Sequence, residues 1–117
     1  MQENNRQYGP HVHKAVNSLQ QYMDQNPIAH KTVTELWDVH VGSSRSMIEK
    51  AFKDITGYRI KEYLVFRRLD YSKKYLQDGM PIKWISTKTL YKSQSAYCTA
   101  FKRFFDISPK DWLAAQQ

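Results

Sequence analysis

The sequence of 117 residues has little of several features that mark other classes of protein. Its single cysteine, Cys98, excludes an internal disulfide and is typical of a reducing compartment. No apolar run approaches the roughly 20 residues that a membrane-spanning helix needs. Residues 1–6 lack the apolar stretch of a signal peptide, so we expect a cytoplasmic protein.

Residue groups that carry catalysis are also scarce. No Gly-rich phosphate loop and no Ser, His and Asp arrangement stands out. His11 and His13 lie two positions apart on a predicted helix and therefore point to different faces, and no Cys, Asp or Glu cluster completes a metal shell. Cys98 has no evident base partner, which indicates an ordinary helix residue. We therefore expect neither an enzyme nor a metal or other cofactor.

Positive charge is abundant, and it is unevenly distributed. Lys and Arg number 18 against 11 Asp and Glu, which gives a formal net charge of +7. Residues 1–57 hold six basic and six acidic residues, whereas residues 58–117 hold twelve basic and five acidic ones. Such an excess fits a nucleic acid or another anionic surface, and it fits an ordinary solvated basic face equally well.

Apolar side chains recur every three or four residues, which predicts an all-α fold of seven short helices. The predicted helices cover residues 10–25, a segment opened by the Thr32-x-x-Glu35 capping box, residues 44–56, residues 60–77, a segment after Pro81, residues 94–105 and a segment opened by Ser108-Pro109. The expected buried stripes are Ile48, Ala51, Phe52 and Ile55 in the third helix and Tyr97, Ala100, Phe101 and Phe104 in the sixth. Met23, Met47 and Met80 are expected in the core, and Tyr8, Tyr22 and Trp84 are expected to pack rather than to stack on bases.

The third and sixth predicted helices carry the same pattern. Residues 44–53 align with residues 93–102 at an offset of 49 without a gap, and five of the ten positions are identical. A short helix, a tight turn and a longer helix make up the helix-turn-helix motif, whose second helix enters the DNA major groove. The expected organisation is a tail (residues 1–10), a first helix-turn-helix subdomain (11–57), a linker helix (58–79) and a second subdomain (80–115). A helical bundle that merely duplicated a helix pair is the alternative.

The linker adds a geometric expectation. A helix over residues 60–77 is about 27 Å long at 1.5 Å per residue. Successive major grooves on one side of DNA lie about 34 Å apart. The spacing therefore predicts two recognition helices in adjacent grooves.

Several ordered motifs also resemble a known family. They are Ile82-x-x-Ile85-Ser86, Tyr91-x-Ser93-x-Ser95-x-Tyr97, Ala100-Phe101-Lys102-Arg103-Phe104 and Ser108-Pro109-x-x-Trp112, together with Gly57, Tyr63-Leu64, Arg67-Arg68-Leu69 and Leu76. Over residues 12–113 the chain resembles the DNA-binding domain of the AraC/XylS-type regulators. The resemblance implies an all-α domain of two homeodomain-like helix-turn-helix repeats in a bacterial transcription regulator. Since the chain starts at Met1 and is short, its layout is similar to the small stand-alone members, which bind DNA as monomers and activate transcription with RNA polymerase.

The sequence departs from the family pattern in the second turn and in both units. Leu90 stands where the family has glycine, Trp37 replaces a small residue, the turn from Val39 to Ser43 is one residue longer, and Thr99 replaces an arginine. A left-handed leucine costs roughly 1 kcal/mol or more, so we expect a remodelled turn at Leu90.

The polar faces of the two recognition helices supply the candidate site. The expected base-reading residues are Arg45, Ser46, Glu49, Lys50, Gln94, Ser95 and Thr99. The expected phosphate contacts are Ser44, Lys53, Lys92, Ser93, Lys102 and Arg103.

These observations predict a sequence-specific regulator that binds double-stranded DNA in two adjacent major grooves, acts with RNA polymerase and associates with the nucleoid. Because the first half carries no net charge, the second unit should supply most of the phosphate attraction. The alternative is a protein-interaction or output module of a larger regulator with weak DNA binding.

Overall fold

Seven α-helices follow one another along the described part of the chain. The computed structural model describes residues 8–40 and 45–117, without the side chains of residues 38–40, and no strand occurs in these ranges. The helices are α1 (Pro10–Gln25), α2 (Val33–His40), α3 (Arg45–Thr56), α4 (Ile60–Gln77), α5 (Ile82–Lys88), α6 (Gln94–Phe105) and α7 (Pro109–Ala115). The predicted all-α fold and its seven helices are thereby confirmed.

The helices form two compact units, one ending at Val65 and the other beginning at Phe66. The division falls within α4, so this helix contributes residues to both units. Among the described helices, none is both long enough and apolar enough to cross a membrane.

The first unit has an apolar core that forms where α1 packs against α3. α1 contributes the stripe Val12, Val16, Leu19 and Met23, and α3 contributes Ile48, Ala51 and Phe52. Leu36 and Trp37 of α2 join the same cluster. Burial of a side chain as large as Phe52 stabilises the fold by about 2 to 3 kcal/mol. This core fixes the rotation of α3, so its polar face points away from α1.

The second unit has a core that contains buried polar groups. Tyr97 and Phe101 of α6 are fully buried, and the Tyr97 hydroxyl lies 2.7 Å from the Ser72 hydroxyl. Ser72 donates its only hydroxyl proton to the Leu69 carbonyl at 2.5 Å, so Tyr97 is the donor of the bond to Ser72. Burial raises the pKa of Tyr97 to about 12, although the bond to Ser72 acts in the opposite direction. The bond holds α6 at a fixed place on α4.

Some side chains expected in the core are exposed. Phe104 is 37% exposed because α6 buries a stripe of Tyr97 and Phe101 only, and Phe104 lies one turn beyond it, with its ring stacked on Phe66. Met47 and Trp84 are 51% and 58% exposed. Met47 precedes the buried Ile48 and faces away from the stripe, and Trp84 lies in the exposed first turn of α5. Ile55 and Ala100 are half-buried.

The turn between α5 and α6 keeps the left-handed conformation, so the expected remodelling at Leu90 was wrong. Leu90 has a φ of 69°. The Tyr91 N–H donates to the Ser86 carbonyl at 2.9 Å, and the Leu90 N–H donates to the Thr87 carbonyl at 3.1 Å. This is the Schellman pattern that normally carries glycine. Its two hydrogen bonds offset the strain of about 1 kcal/mol.

Candidate nucleic-acid interface

In the first unit, α2 precedes α3, and a capping box sets the start of α2. The Thr32 hydroxyl accepts from the Glu35 N–H at 3.1 Å, and the Glu35 carboxylate accepts from the Lys31 N–H at 3.2 Å. These bonds satisfy amide groups that a helix N-terminus otherwise leaves unpaired. The capping box predicted from the sequence is confirmed, with Lys31 rather than Thr32 as the backbone donor to Glu35.

The outer face of α3 carries the predicted reading residues, and its cations are bonded within the unit. Arg45 Nε lies 3.2 Å from the Glu49 carboxylate, and the guanidinium also lies 5.6 Å from the centre of the Trp37 ring. Lys53 donates to the Gly57 carbonyl at 3.1 Å. Ser46 is exposed beside them. Most of the positive charge of this face is therefore matched by internal partners.

Lys50 belongs to a three-residue contact that joins the start of the described chain to α3. Its Nζ lies 3.3 Å from the Asp54 carboxylate and 3.4 Å from the Tyr8 hydroxyl, and Tyr8 donates to Asp54. The bond from Tyr8, followed by that from Lys50, holds the pKa of Asp54 below its usual value. The bond to Asp54 in turn raises the pKa of Lys50. Lys50 thus stays protonated, and the neighbouring Asp54 carboxylate neutralises its charge.

In the second unit, α5 packs on α6, and α6 packs on α7. Ser93 is the N-cap of α6, and its hydroxyl accepts from the Ala96 N–H at 3.0 Å. The outer face of α6 exposes Gln94, Ser95 and Thr99. This cap confirms the predicted start of the helix and aligns these polar side chains on one exposed surface.

Three cations beside and on α6 differ from those of α3, because they have no bonded partner in the described part of the chain. Lys92, Lys102 and Arg103 are all exposed. No ion pair or hydrogen bond to any of these three side chains occurs within residues 8–40 and 45–117. Their charges are therefore available to an external anion.

The structure thus gathers the predicted residues into two surfaces, one on each unit. The first surface holds Arg45, Ser46, Glu49, Lys50 and Lys53, and the second holds Lys92, Ser93, Gln94, Ser95, Thr99, Lys102 and Arg103. Ser44 lies outside the described residues. Which of these side chains contact DNA stays a prediction.

Sequence reasoning missed the partners of the first surface. The spacing of Lys50 and Asp54, four residues apart on a helix, could have revealed that ion pair. Tyr8 gave no such signal, because its contact spans 46 positions. No group of three or more His, Cys, Asp or Glu side chains in the described part of the chain could hold a metal ion.

Two helix-turn-helix units on one chain define a bipartite DNA-binding domain. A family model described as a helix-turn-helix domain matches residues 39–115, about two thirds of the sequence. The chain belongs to the AraC-type helix-turn-helix family of transcription regulators, whose partner is double-stranded DNA. The resemblance seen in the sequence motifs is confirmed.

Named relatives support the same assignment. The chain is 29% identical over 98 residues to the F1 operon positive regulatory protein of Yersinia pestis, covering 83% of this chain and 33% of that protein. It is 32% identical over 92 residues to a protein named as an AraC-like transcription regulator of Streptomyces antibioticus, covering 78% of this chain and 30% of that protein. The chain therefore spans about a third of the length of these relatives. The alternative of a protein-interaction module is not favoured.

A solved structure supports the fold independently. A transcriptional regulator of the AraC type from Chromobacterium violaceum superposes with a TM-score of 0.76 at 20% sequence identity. The match covers 91% of this chain and 95% of that one. At this identity the likeness concerns the fold alone, which is the predicted one.

Proposed function

We propose that the chain regulates transcription by reading two adjacent major grooves as a monomer, with α3 in one groove and α6 in the next. The observation that supports this most directly is the repetition of one architecture: each unit places a helix with an exposed polar face after a shorter helix. A major groove admits one α-helix and displays a distinct pattern of donors and acceptors for each base pair. One chain with two such helices does what a dimer of single units does elsewhere.

The roles of individual residues follow from their chemistry. On α6, Gln94 can bond adenine in a bidentate manner, and Ser95 and Thr99 can bond either donors or acceptors. On α3, Glu49 can accept from a cytosine amine, with Arg45, Ser46 and Lys50 beside it. Lys53, Lys92, Ser93, Lys102 and Arg103 are assigned to phosphates.

We further propose that this chain activates transcription in contact with RNA polymerase, in the cytoplasm and at the nucleoid. The support is the positive regulatory role stated in the name of the Yersinia pestis relative. Because that relative is about three times as long, activation is tested separately from DNA binding. Addition of the purified chain to a defined transcription reaction on a selected site should increase transcript, and an unchanged or lower yield would contradict activation.

Selection from random DNA tests the reading of two grooves. The purified chain is mixed with random duplexes of about 20 base pairs, and the bound fraction is sequenced after several rounds. Two enriched half-sites about 10 base pairs apart are expected. Salt-sensitive binding without an enriched motif, or no binding, would favour the protein-interaction module instead.

Matched variants assign each half-site to a helix. Gln94→Ala should relax the preference in one half-site only, and Glu49→Gln should change the other. The Kd of each variant is measured on the selected site and on single base-pair changes. The mass of the complex by analytical ultracentrifugation distinguishes one bound chain from two.

A further inference from the structure

The first unit contains a cleft beside α3, and two of the cations that line it, Arg59 and Lys61, have no role in the proposed function. Its volume is about 540 Å³, and its walls come from the start of α2, from α3 and from the start of α4. The charged side chains that line it are Arg45, Glu49, Lys50, Lys53, Arg59 and Lys61. The remaining lining residues, Val33 and Ile60, are aliphatic.

The cleft collects positive charge in a unit that otherwise has little. Residues 1–65 contain eight basic and seven acidic residues, a formal net charge of +1. Five basic side chains and one carboxylate line the cleft, a net charge of +4. A concave surface lined by charges of one sign focuses the electrostatic field and raises the local concentration of the opposite ion. The cleft is therefore suited to an anion.

Two of these cations are not bonded within the unit. Arg59 and Lys61 are exposed on either side of the first residue of α4. No ion pair or hydrogen bond to either side chain occurs in the described part of the chain, whereas Arg45, Lys50 and Lys53 each have a partner. The backbone N–H of Arg59 donates to the Glu62 carboxylate at 2.9 Å, so the side chains rather than this amide are free for a ligand.

The internal repeat points to the chemistry of the ligand. At the offset of 49 residues, Lys53 corresponds to Lys102 and Lys61 corresponds to Lys110. Both units therefore place one lysine in the last turn of the recognition helix and another at the start of the next helix. A pair of lysines that recurs in both units fits a ligand whose anionic groups recur at regular spacing.

We propose that this cleft is a phosphate-binding site in which Arg59 and Lys61 act together with Lys53. The proposal rests on the proposed function for its main source of phosphate, the backbone of DNA whose groove holds α3. Free phosphate groups are the other source of the same chemistry. Arg59 is the preferred ligand because its planar fork of N–H donors matches two phosphate oxygens.

Salt dependence of DNA binding is the first arm of the test. Wild type, Arg59→Gln, Lys61→Gln and the double variant are titrated against the selected duplex by fluorescence anisotropy between 0.05 and about 0.3 M salt. Each lost phosphate contact should lower the slope of log K against log salt by about 0.9. Lys14→Gln is the matched control, because Lys14 is exposed on α1 of the same unit but does not line the cleft, and its slope should stay that of wild type.

Pyrophosphate without DNA is the second arm. Calorimetric titration should show binding to wild type and none to the double variant if the cleft accepts free phosphate groups. Reduced slopes without pyrophosphate binding would assign the site to the DNA backbone alone. Pyrophosphate binding with unchanged slopes would assign it to free anions.

Failure of the proposal differs from failure of the proposed function. If wild type selects a motif but the double variant keeps its slope, and pyrophosphate does not bind, the phosphate site is wrong and the regulator stands. If wild type selects no motif, the proposed function fails, and the pyrophosphate arm alone decides on the cleft. Thermal unfolding of each variant confirms that the exposed substitutions leave the fold intact.

Discussion

The two units share a helix-turn-helix architecture, but they distribute polarity in opposite ways. In the first unit the buried residues of the core are apolar, while Glu49 and Asp54 neutralise cations on the outer face of α3. In the second unit the core contains Ser72, Ser86 and Thr89, while the cations beside and on α6 have no partner in the described part of the chain. We therefore expect one copy of the motif to hold DNA mainly by charge and the other mainly by the pattern of its side chains.

Net charge follows the same division. Residues 1–65 carry +1, and residues 66–117 carry ten basic and four acidic residues, a net charge of +6. Nonspecific attraction to DNA comes from released counterions, so it depends on cations that are free to contact phosphate. We expect the second unit to supply most of this attraction, and the free cations of the first unit to lie at the start of α4 rather than on its recognition helix.

The largest expected effect concerns the cations of α6. The double variant Lys102→Gln, Arg103→Gln should weaken binding to a duplex without the selected site roughly fifty-fold at 0.1 M salt. It should also lower the slope of log K against log salt by about 1.8, since each phosphate contact contributes about 0.9. Anisotropy titrations at several salt concentrations measure both quantities. Lys14→Gln serves as the control for a lysine outside the proposed interface. If the double variant binds within two-fold of wild type, the second unit is not the main source of attraction.

The next effect concerns the polar core of the second unit. Ser72→Ala leaves the Tyr97 hydroxyl without an acceptor in a fully buried site, which should lower the free energy of unfolding by about 1 to 3 kcal/mol. Tyr97→Phe keeps the bond from Ser72 to the Leu69 carbonyl and should cost less, about 1 kcal/mol. Urea denaturation measures both. A double variant as unstable as the sum of the two single variants would contradict the bond.

The raised pKa of Tyr97 gives this core a dependence on high pH. In the unfolded chain Tyr97 ionises near its ordinary pKa of 10, whereas in the folded chain its pKa is about 12. Stability from this group is complete below pH 10 and is lost as the pH rises toward 12. Wild type should therefore lose more stability over that interval than Tyr97→Phe does, as measured by urea denaturation at a series of pH values. Equal losses would show that Tyr97 does not titrate differently in the two states.

A smaller effect of opposite sign concerns Glu49. Glu49→Gln removes a carboxylate from the outer face of α3 and leaves Arg45 without its ion-pair partner. Binding to a duplex without the selected site should therefore become about five-fold tighter, or about 1 kcal/mol. Asp78→Asn is the control, because it makes the same charge change at an exposed position after α4. Equally tighter binding of both variants would show that only the net charge matters and that the position of Glu49 on α3 does not.

The sequence predicted the helices well because local chemistry determines them. Apolar spacing, the Ser108 cap and the family motifs placed α6 and α7 correctly, since the Ser108 cap bonds an amide only three residues away. The polar faces of α3 and α6 were predictable for the same reason: their apolar stripes leave the opposite face to solvent.

Other features depend on contacts that helical spacing does not encode. Phe104 fits the apolar stripe of α6 but is 37% exposed. Leu90 keeps a left-handed conformation that normally carries glycine, because two backbone hydrogen bonds compensate for its strain. The partners of Lys50 and Arg45 include Tyr8 and Trp37, which come from other segments of the chain. The apolar periodicity of α3 therefore predicted where the first surface lies, but tertiary contacts determined which of its charges are neutralised.

The smallest expected effect tests the neutralisation of α3 directly. The bond from Tyr8 lowers the pKa of Asp54 below 3.8, so the folded state holds the proton less tightly than the unfolded chain does. This contribution to stability is present above pH 3.8 and is lost as the pH falls through the lower, folded pKa. Asp54→Asn should lower Tm at pH 7 by no more than about 2 °C, because its partner Lys50 is exposed to solvent, which screens the ion pair. The difference from wild type should shrink below pH 3.8.

Tyr8→Phe, which removes the hydroxyl donor alone, should give a smaller decrease with the same pH trend. A difference that persists unchanged at low pH would show that Asp54 acts by packing, and the contrast between a neutralised α3 and a free α6 would then lack its electrostatic basis.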